Sequence, residues 1–143
     1  MQGARVLTVN EYEFEMVRHK SGLDVAGLLA LVDTIVVTRG ADGSTVIGPD
    51  FHLDIPAATP RRVVEPTGVG DAYRAGLLTG LVHGYSWEVI CRLASLAAVY
   101  VIENSGSMSH DYTLAEFVAR YRQQFGDTPE LDDLLARSEQ RSR

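Results

Sequence analysis

The apolar positions of this chain change period about halfway along it. Up to Val64 most fall in short runs of strand length, and beyond Gly70 they recur at helical spacing. Arg5–Val9 (RVLTV) predicts a strand. Asn10 follows, with Glu13 three residues on, the N-cap and capping-box pair of a helix reaching about His19. Ser21-Gly22 stops that helix, and Asp24 caps a second over Val25–Leu31. Thr34–Thr38 (TIVVT) is β-branched and nearly all apolar, which predicts a strand buried on both faces. Arg39–Gly43 reads as a turn, Ser44–Ile47 and Phe51–Ile55 as further strands, and Arg61–Val64 as another.

The rest is helical. Asp71–Gly84 predicts one helix, and Ser86 caps a longer one, Trp87 to about Glu103, whose stretch Leu93–Ile102 is apolar enough to be buried. Thr113 caps Leu114–Phe125, with Glu116 completing a capping box, and Gly126 ends it. Ser105–Ser109 reads as a loop. Residues 127–143 read as a charged tail with a short helix near Pro129–Ala136. This order of elements predicts an α/β fold with a parallel central sheet and antiparallel edge strands. The first strand lies so near the N-terminus that one sheet edge has no evident cover, which points to missing structure.

Composition narrows the classes. A chain of 143 residues, 45% hydrophobic and 22% charged, suits one globular domain. A net charge of −6 weighs against nucleic acid as a partner, since phosphate backbones need a basic face. Cys91 is the only cysteine and falls in an apolar helical stretch, so it reads as a small core residue. With no leader-like opening and no apolar run near 18 residues, no membrane association and a reducing, cytoplasmic setting are expected. His19, His52, His83 and His110 show no metal-ligand spacing and read as surface or loop residues. P-loop, Gly-x-Ser-x-Gly and metalloprotease motifs are absent.

The candidate chemistry centres on Glu65-Pro-Thr-Gly-Val-Gly-Asp-Ala-Tyr73. Thr67, Gly68, Val69 and Gly70 form a small-residue turn that opens an apolar helix, and Asp71 stands on that helix's first turn. A helix N-terminus presents backbone N–H groups and the positive end of a dipole, both suited to an oxyanion. A carboxylate beside it could take a proton from an attacking hydroxyl. Alone, the turn and a capping Asp71 would need no function. Two glycines, an acid and a small-residue helix face (Ala72, Ala75, Gly76, Gly80) together favour phosphoryl transfer to an alcohol. Such a face allows close approach of a neighbour or a ligand. Asn10 and Glu13 are explained as caps, yet at the C-terminal end of a sheet strand they would stand where open α/β sheets bind ligands. There they could hold Mg²⁺ through water. Thr38–Gly43 is a hairpin turn that would also let backbone approach a nucleotide, with Arg39 facing either phosphates or solvent.

Three motifs in this order resemble the ribokinase-like (PfkB-type) carbohydrate kinases. Val64–Leu78 (VEPTGVGDAYRAGLL) is similar to the family's D-T-T-G-A-G-D-x-F-x-A-G motif, Asn10–Glu13 to its N-x-x-E motif, and Val37–Gly43 to its V-T-x-G-x-x-G loop. The resemblance runs to about Gly126 and is nearest in flavour to prokaryotic sugar or nucleoside kinases resembling adenosine kinase. It implies a three-layer α/β/α fold of which this chain holds only the C-terminal portion, with residues 1–126 as the nucleotide-binding, base-bearing part.

The resemblance also implies roles. Asp71 would be the catalytic base, and the amides of Gly68, Val69 and Gly70 the anion hole for the γ-phosphoryl group. Asn10 and Glu13 would order Mg²⁺ through water. Thr38, Gly40, Gly43, Thr67, Asn104 and Gly106 would line the ATP site, with the helix end near Glu103–Ser107 by the adenine. The acceptor would be a sugar or nucleoside. Two positions depart from the pattern. Glu65 stands where the family has the Asp that helps bind a monovalent cation in members using one, which weighs against a cation site. Val69 replaces a small residue but keeps its amide. The glycine pair that grips the acceptor and the small β lid have no counterpart, so weak or no turnover is expected of the chain alone. The alternative is a non-catalytic nucleotide-binding or assembly module that pairs with a separate N-terminal half or forms a homodimer over its exposed sheet edge.

Overall fold

A computed structural model describes residues 5–64, 68–103 and 113–141. The chain divides into two compact units, Met1–Ala57 and Ala58–Arg143.

The first unit is a four-stranded mixed sheet in the order β1-β2-β3-β4 with two helices: β1 (Val6–Asn10), α1 (Glu11–Ser21), α2 (Val25–Leu29), β2 (Thr34–Thr38), β3 (Ser44–Ile47) and β4 (His52–Ile55). β1 and β2 run parallel, Val6 opposite Thr34 through Asn10 opposite Thr38. β3 and β4 continue the sheet antiparallel. Thr34 to Val37 are all buried, as a β-branched apolar run requires. Ile35 and Val37 form a core with Val9 and Leu28, against which Phe14 and Val17 of α1 pack. The helix ends follow local chemistry. The Asn10 side chain accepts from Glu13 N–H and that of Asp24 from Gly27 N–H, while Gly22, at φ 70°, closes α1 in the left-handed conformation.

The second unit is helical: α3 (Val69–His83), α4 (Trp87–Glu103), α5 (Leu114–Phe125) and α6 (Pro129–Arg141). Its core gathers Leu93, Leu96 and Val99 of α4, Phe117, Val118 and Tyr121 of α5, and Leu131 and Leu134 of α6. Cys91 is buried in α4, as expected of a small apolar residue.

Three local expectations are corrected. Arg61–Val64 is not a strand, because its polar groups bond to the end of α4 rather than to a sheet. Val64 N–H donates to Ile102 O (2.9 Å), Arg61 N–H to Glu103 Oε1 (2.7 Å) and Arg62 Nε to Glu103 O (2.9 Å). The charged tail carries a helix that continues past Ala136 to Arg141, held by Leu131 and Leu134 in the core. α3 starts at Val69, ahead of the predicted start, because Gly68 takes the N-cap position at φ 83°. His19 and His52 are exposed, whereas His83 is half-buried with its ring edge-on to Tyr85, centroids 5.3 Å apart. His110 and the Ser105–Ser109 loop lie outside the described residues.

Candidate functional site

In the first unit, a parallel strand pair ends with two side chains abreast. Asn10 closes β1 and Thr38 closes β2, and the two are register partners. The Thr38 hydroxyl donates to Val9 O (3.4 Å), which fixes its rotamer beside the strand end. The Asn10 amide is used twice: Oδ1 accepts from Glu13 N–H (2.7 Å) and Nδ2 donates to Glu13 Oε1 (2.7 Å). The cap therefore also orients the carboxylate of Glu13 at the C-terminal edge of the parallel strands, where open α/β sheets place ligands. One oriented carboxylate suits Mg²⁺, which keeps most of its own water. Among the described residues, no three acidic, histidine or cysteine side chains gather as a metal cage. Asn10 and Glu13 thus fit an ion held through water and not a fully protein-ligated one.

Gly40 and Gly43 shape the turn that follows. Gly40–Asp42 is a single 3₁₀ turn, with Arg39 N–H donating to Gly43 O (2.8 Å) and Gly43 N–H to Gly40 O (3.1 Å). Gly43, at φ 93° and ψ −141°, is in a region open essentially to glycine alone, and a Cβ there would stand 2.0 Å from Ile55 O. Gly40, at φ 57°, faces open space. Arg39 is turned along the sheet: Nη2 donates to Asp54 Oδ1 (3.2 Å), which also accepts from the Thr45 hydroxyl (2.8 Å).

In the second unit the candidate anion turn is a bare helix start. Gly68 is left-handed and gives no side-chain cap. The helical ladder opens with Ala72 N–H to Gly68 O (3.1 Å), so the amides of Val69, Gly70 and Asp71 precede it and point out of the helix end. Among the described residues, a Cβ on Gly70 would meet only Arg74 Nη1, at 3.9 Å. Asp71 stands on the first turn with its side chain 89% exposed, 3.4 Å from Arg74 Nη1. The small-residue face predicted for this helix does serve close approach, to a neighbour. Gly76 lies against Ala94 and Gly80 against Ile90, so α3 and α4 pack almost backbone to backbone.

Asn10, Glu13, Thr38, Gly40 and Gly43 are thus gathered at one edge of the first unit, and Gly68, Val69, Gly70 and Asp71 at one helix end of the second. Thr67, Asn104, Gly106 and Glu65 lie outside the described residues. Two features escaped the sequence reading. Arg74 beside Asp71 had only its i, i+3 spacing as a signal. Glu103 and Arg120 form a buried ion pair in which Arg120 donates through both terminal nitrogens, to Oε2 at 2.7 Å and to Oε1. Its signal was two charges at the margins of apolar helical faces.

A family model described as pfkB family carbohydrate kinase matches residues 1–113. A nucleoside kinase of Methanocaldococcus jannaschii is 33% identical over 114 residues, covering 80% of this chain and 38% of the relative. The structure of Burkholderia thailandensis nucleoside kinase in complex with inosine is 39% identical, with a TM-score of 0.83, and covers 88% of this chain and 42% of that one. The same kinase in its ADP-inosine complex gives a TM-score of 0.83 at 39% identity, covering 88% of this chain and 40% of that one. The chain thus spans about two fifths of the length of these relatives.

Proposed function

The chain belongs to the pfkB family of carbohydrate kinases, and from that membership we propose that it is the ATP-binding, base-bearing portion of a kinase that phosphorylates a hydroxyl of a nucleoside or sugar. The observation carrying this reading is the N-terminus of α3, where the amides of Val69 and Gly70 precede the helical ladder behind a left-handed Gly68 and an exposed carboxylate stands beside them. Relatives that are nucleoside kinases, one of them bound to inosine, favour a nucleoside as acceptor.

In this reading the amides of Gly68, Val69 and Gly70 hold the γ-phosphoryl oxygens, and the dipole of α3 stabilises the charge they gather. Asp71 takes the proton of the acceptor hydroxyl as its oxygen attacks phosphorus, and ADP leaves. Arg74, a long cation 3.4 Å from Asp71, offers charge at the same helix end. Thr38 and the backbone at Gly40 and Gly43 line the nucleotide, joined by Thr67, Asn104 and Gly106. Mg²⁺, held through water by Glu13 with Asn10 orienting it, would supply charge neutralisation on the phosphates. Residues 1–126 carry these parts, and the acceptor grip comes from a portion corresponding to the relatives' remaining length. Turnover by the chain alone is accordingly weak or nil.

Calorimetric titration with ATP, with and without Mg²⁺, tests the reading, with Gly70→Asp as control. That variant fits sterically but sets a carboxylate in the mouth of the anion turn. Binding that the control loses supports the proposal, and a folded chain that binds no ATP overturns it. A second reading, a nucleotide-binding assembly module that pairs with a separate N-terminal half or dimerises, rests on β1 standing at the edge of the sheet. Mixing with an N-terminal half from a related kinase separates the two. Restored turnover supports the kinase, and assembly without turnover supports the module.

A further inference from the structure

Glu103 is the one acidic residue among the described residues of the second unit that is buried, at 7% exposed, and its partner Arg120 is 5% exposed. Burying two charges is costly, and such a pair is poor evidence for stability alone, since apolar residues of similar volume often serve as well or better. What distinguishes this pair is what else it holds. Besides Arg120, Glu103 Oε1 accepts the backbone N–H of Arg61 (2.7 Å), and the Glu103 carbonyl accepts Arg62 Nε (2.9 Å). One residue earlier, Ile102 O accepts Val64 N–H (2.9 Å). The guanidinium of Arg120 also lies over the Tyr100 ring, 4.9 Å from its centroid, which fixes it on α4 as well as on α5.

These bonds moor the strap 61–64 to the last turn of α4. From Val64 the chain has four residue steps to reach Gly68, so the anion turn lies within ~14 Å of the mooring. The helix it opens is held along its length by the same α4, since Gly80 faces Ile90 and Gly76 faces Ala94. That antiparallel pairing brings the C-terminal end of α4 beside the N-terminal end of α3. α4 therefore grips α3 by its glycine face and the chain entering α3 by Glu103.

We propose that Glu103, locked by Arg120, is a positioning residue for the phosphate-binding turn Gly68–Asp71. It touches no substrate. It sets where the amides of Gly68, Val69 and Gly70 point by fixing the strap that leads into them. The functional part of this proposal rests on the reading of that turn as the γ-phosphate site, while the mechanical part does not.

The experiment compares three forms of the chain: native, Glu103→Gln, and the double variant Glu103→Leu/Arg120→Met, which removes the mooring while filling the buried volume with apolar atoms. Amide hydrogen exchange reads the mechanical part. Both variants should exchange at least tenfold faster across residues 61–72, with the centre of α5 unchanged in the double variant. Equal exchange in all three forms would overturn the proposal, whether or not ATP binds. Titration with ATP and ADP reads the functional part. Affinity for ATP should fall about tenfold in both variants and affinity for ADP, which lacks the γ-phosphate, less than twofold. Equal losses for the two nucleotides, or an ATP affinity restored in the double variant, would reduce Glu103 to a structural role and overturn it. A native chain that binds neither nucleotide would refute the kinase reading and leave the exchange result to decide the mooring.

Discussion

Gly76 of α3 faces Ala94 of α4 so closely that a Cβ added to the glycine would stand 2.7 Å from the alanine Cα. One turn further on, a Cβ at Gly80 would stand 2.7 Å from Ile90 Cγ1. The nearest obstacles differ in kind, backbone at Ala94 and a side-chain atom at Ile90, with Ile90 Cβ at 3.1 Å and Cα at 3.2 Å behind it. Alanine gains about 1 kcal/mol over glycine in helix propensity, and overpacking costs about 1–3 kcal/mol. Gly76→Ala is therefore expected to lose stability and Gly80→Ala to lose less. Urea unfolding of both variants measures the difference, and equal or improved midpoints would mean that α3 and α4 can separate at little cost.

What could be read in the sequence was what local chemistry decides. Asn10, Asp24 and Thr113 cap the helices that follow them because a short polar side chain there reaches a free amide whatever the rest of the chain does. TIVVT forms a strand within the bounds its composition implied. The helix start at Gly-x-Gly-Asp was legible because a left-handed N-cap position, as at Gly68, favours glycine. The failures are non-local. Arg61–Val64 has the composition of a strand, but its partner is a helix terminus far along the chain, Glu103 lying 42 residues beyond Arg61. The Glu103–Arg120 pair joins two helices and leaves no periodic trace. The small face of α3 was seen but its occupant was not, since periodicity says that something approaches and never what.

Gly43 and Gly40 lie in one turn yet should respond differently to alanine. Gly43 is at φ 93°, where a Cβ would stand 2.0 Å from Ile55 O, whereas at Gly40, at φ 57°, a Cβ would meet nothing within 4 Å among the described residues. The left-handed conformation alone costs alanine roughly 1–2 kcal/mol. Gly43→Ala adds a backbone clash that breaks the turn between β2 and β3. Gly40→Ala should lower the melting temperature by a few degrees and Gly43→Ala by clearly more, as circular dichroism would show. Equal losses would mean that only the φ angle matters here.

The Arg120 guanidinium, donating to Glu103, holds the Glu103 carboxyl below its ordinary 4.5, against the opposing effect of burial. In the unfolded chain the carboxyl takes up its proton first as the pH falls, so the unfolded state binds more protons. The stabilisation is thus complete above about pH 4.5 and is lost as the pH drops towards the lower folded value. Urea midpoints from pH 7 to pH 3 should fall steeply in this acid range for the native chain. Glu103→Gln should be less stable at pH 7 and show a flatter profile. Parallel profiles would place the acid sensitivity elsewhere.

Asp71 offers the cleanest separation of binding from chemistry. Its side chain is 89% exposed and lies 3.4 Å from Arg74 Nη1, so replacing it disturbs little packing. Asp71→Asn removes one negative charge from the positive end of α3, a loss of about 0.3–1 kcal/mol in stability. It also removes a charge that would repel a nearby γ-phosphate. ATP affinity should hold or rise slightly, in contrast to Gly70→Asp, which adds a charge where Asp71→Asn removes one. When turnover is measured with a complementing N-terminal half, the asparagine variant should lose about 10²–10⁴-fold in kcat, the share usual for a general base. If Asp71→Asn instead lost ATP affinity as Gly70→Asp does and kept its kcat, the carboxylate would be shaping the turn, and the proton acceptor would have to be sought elsewhere.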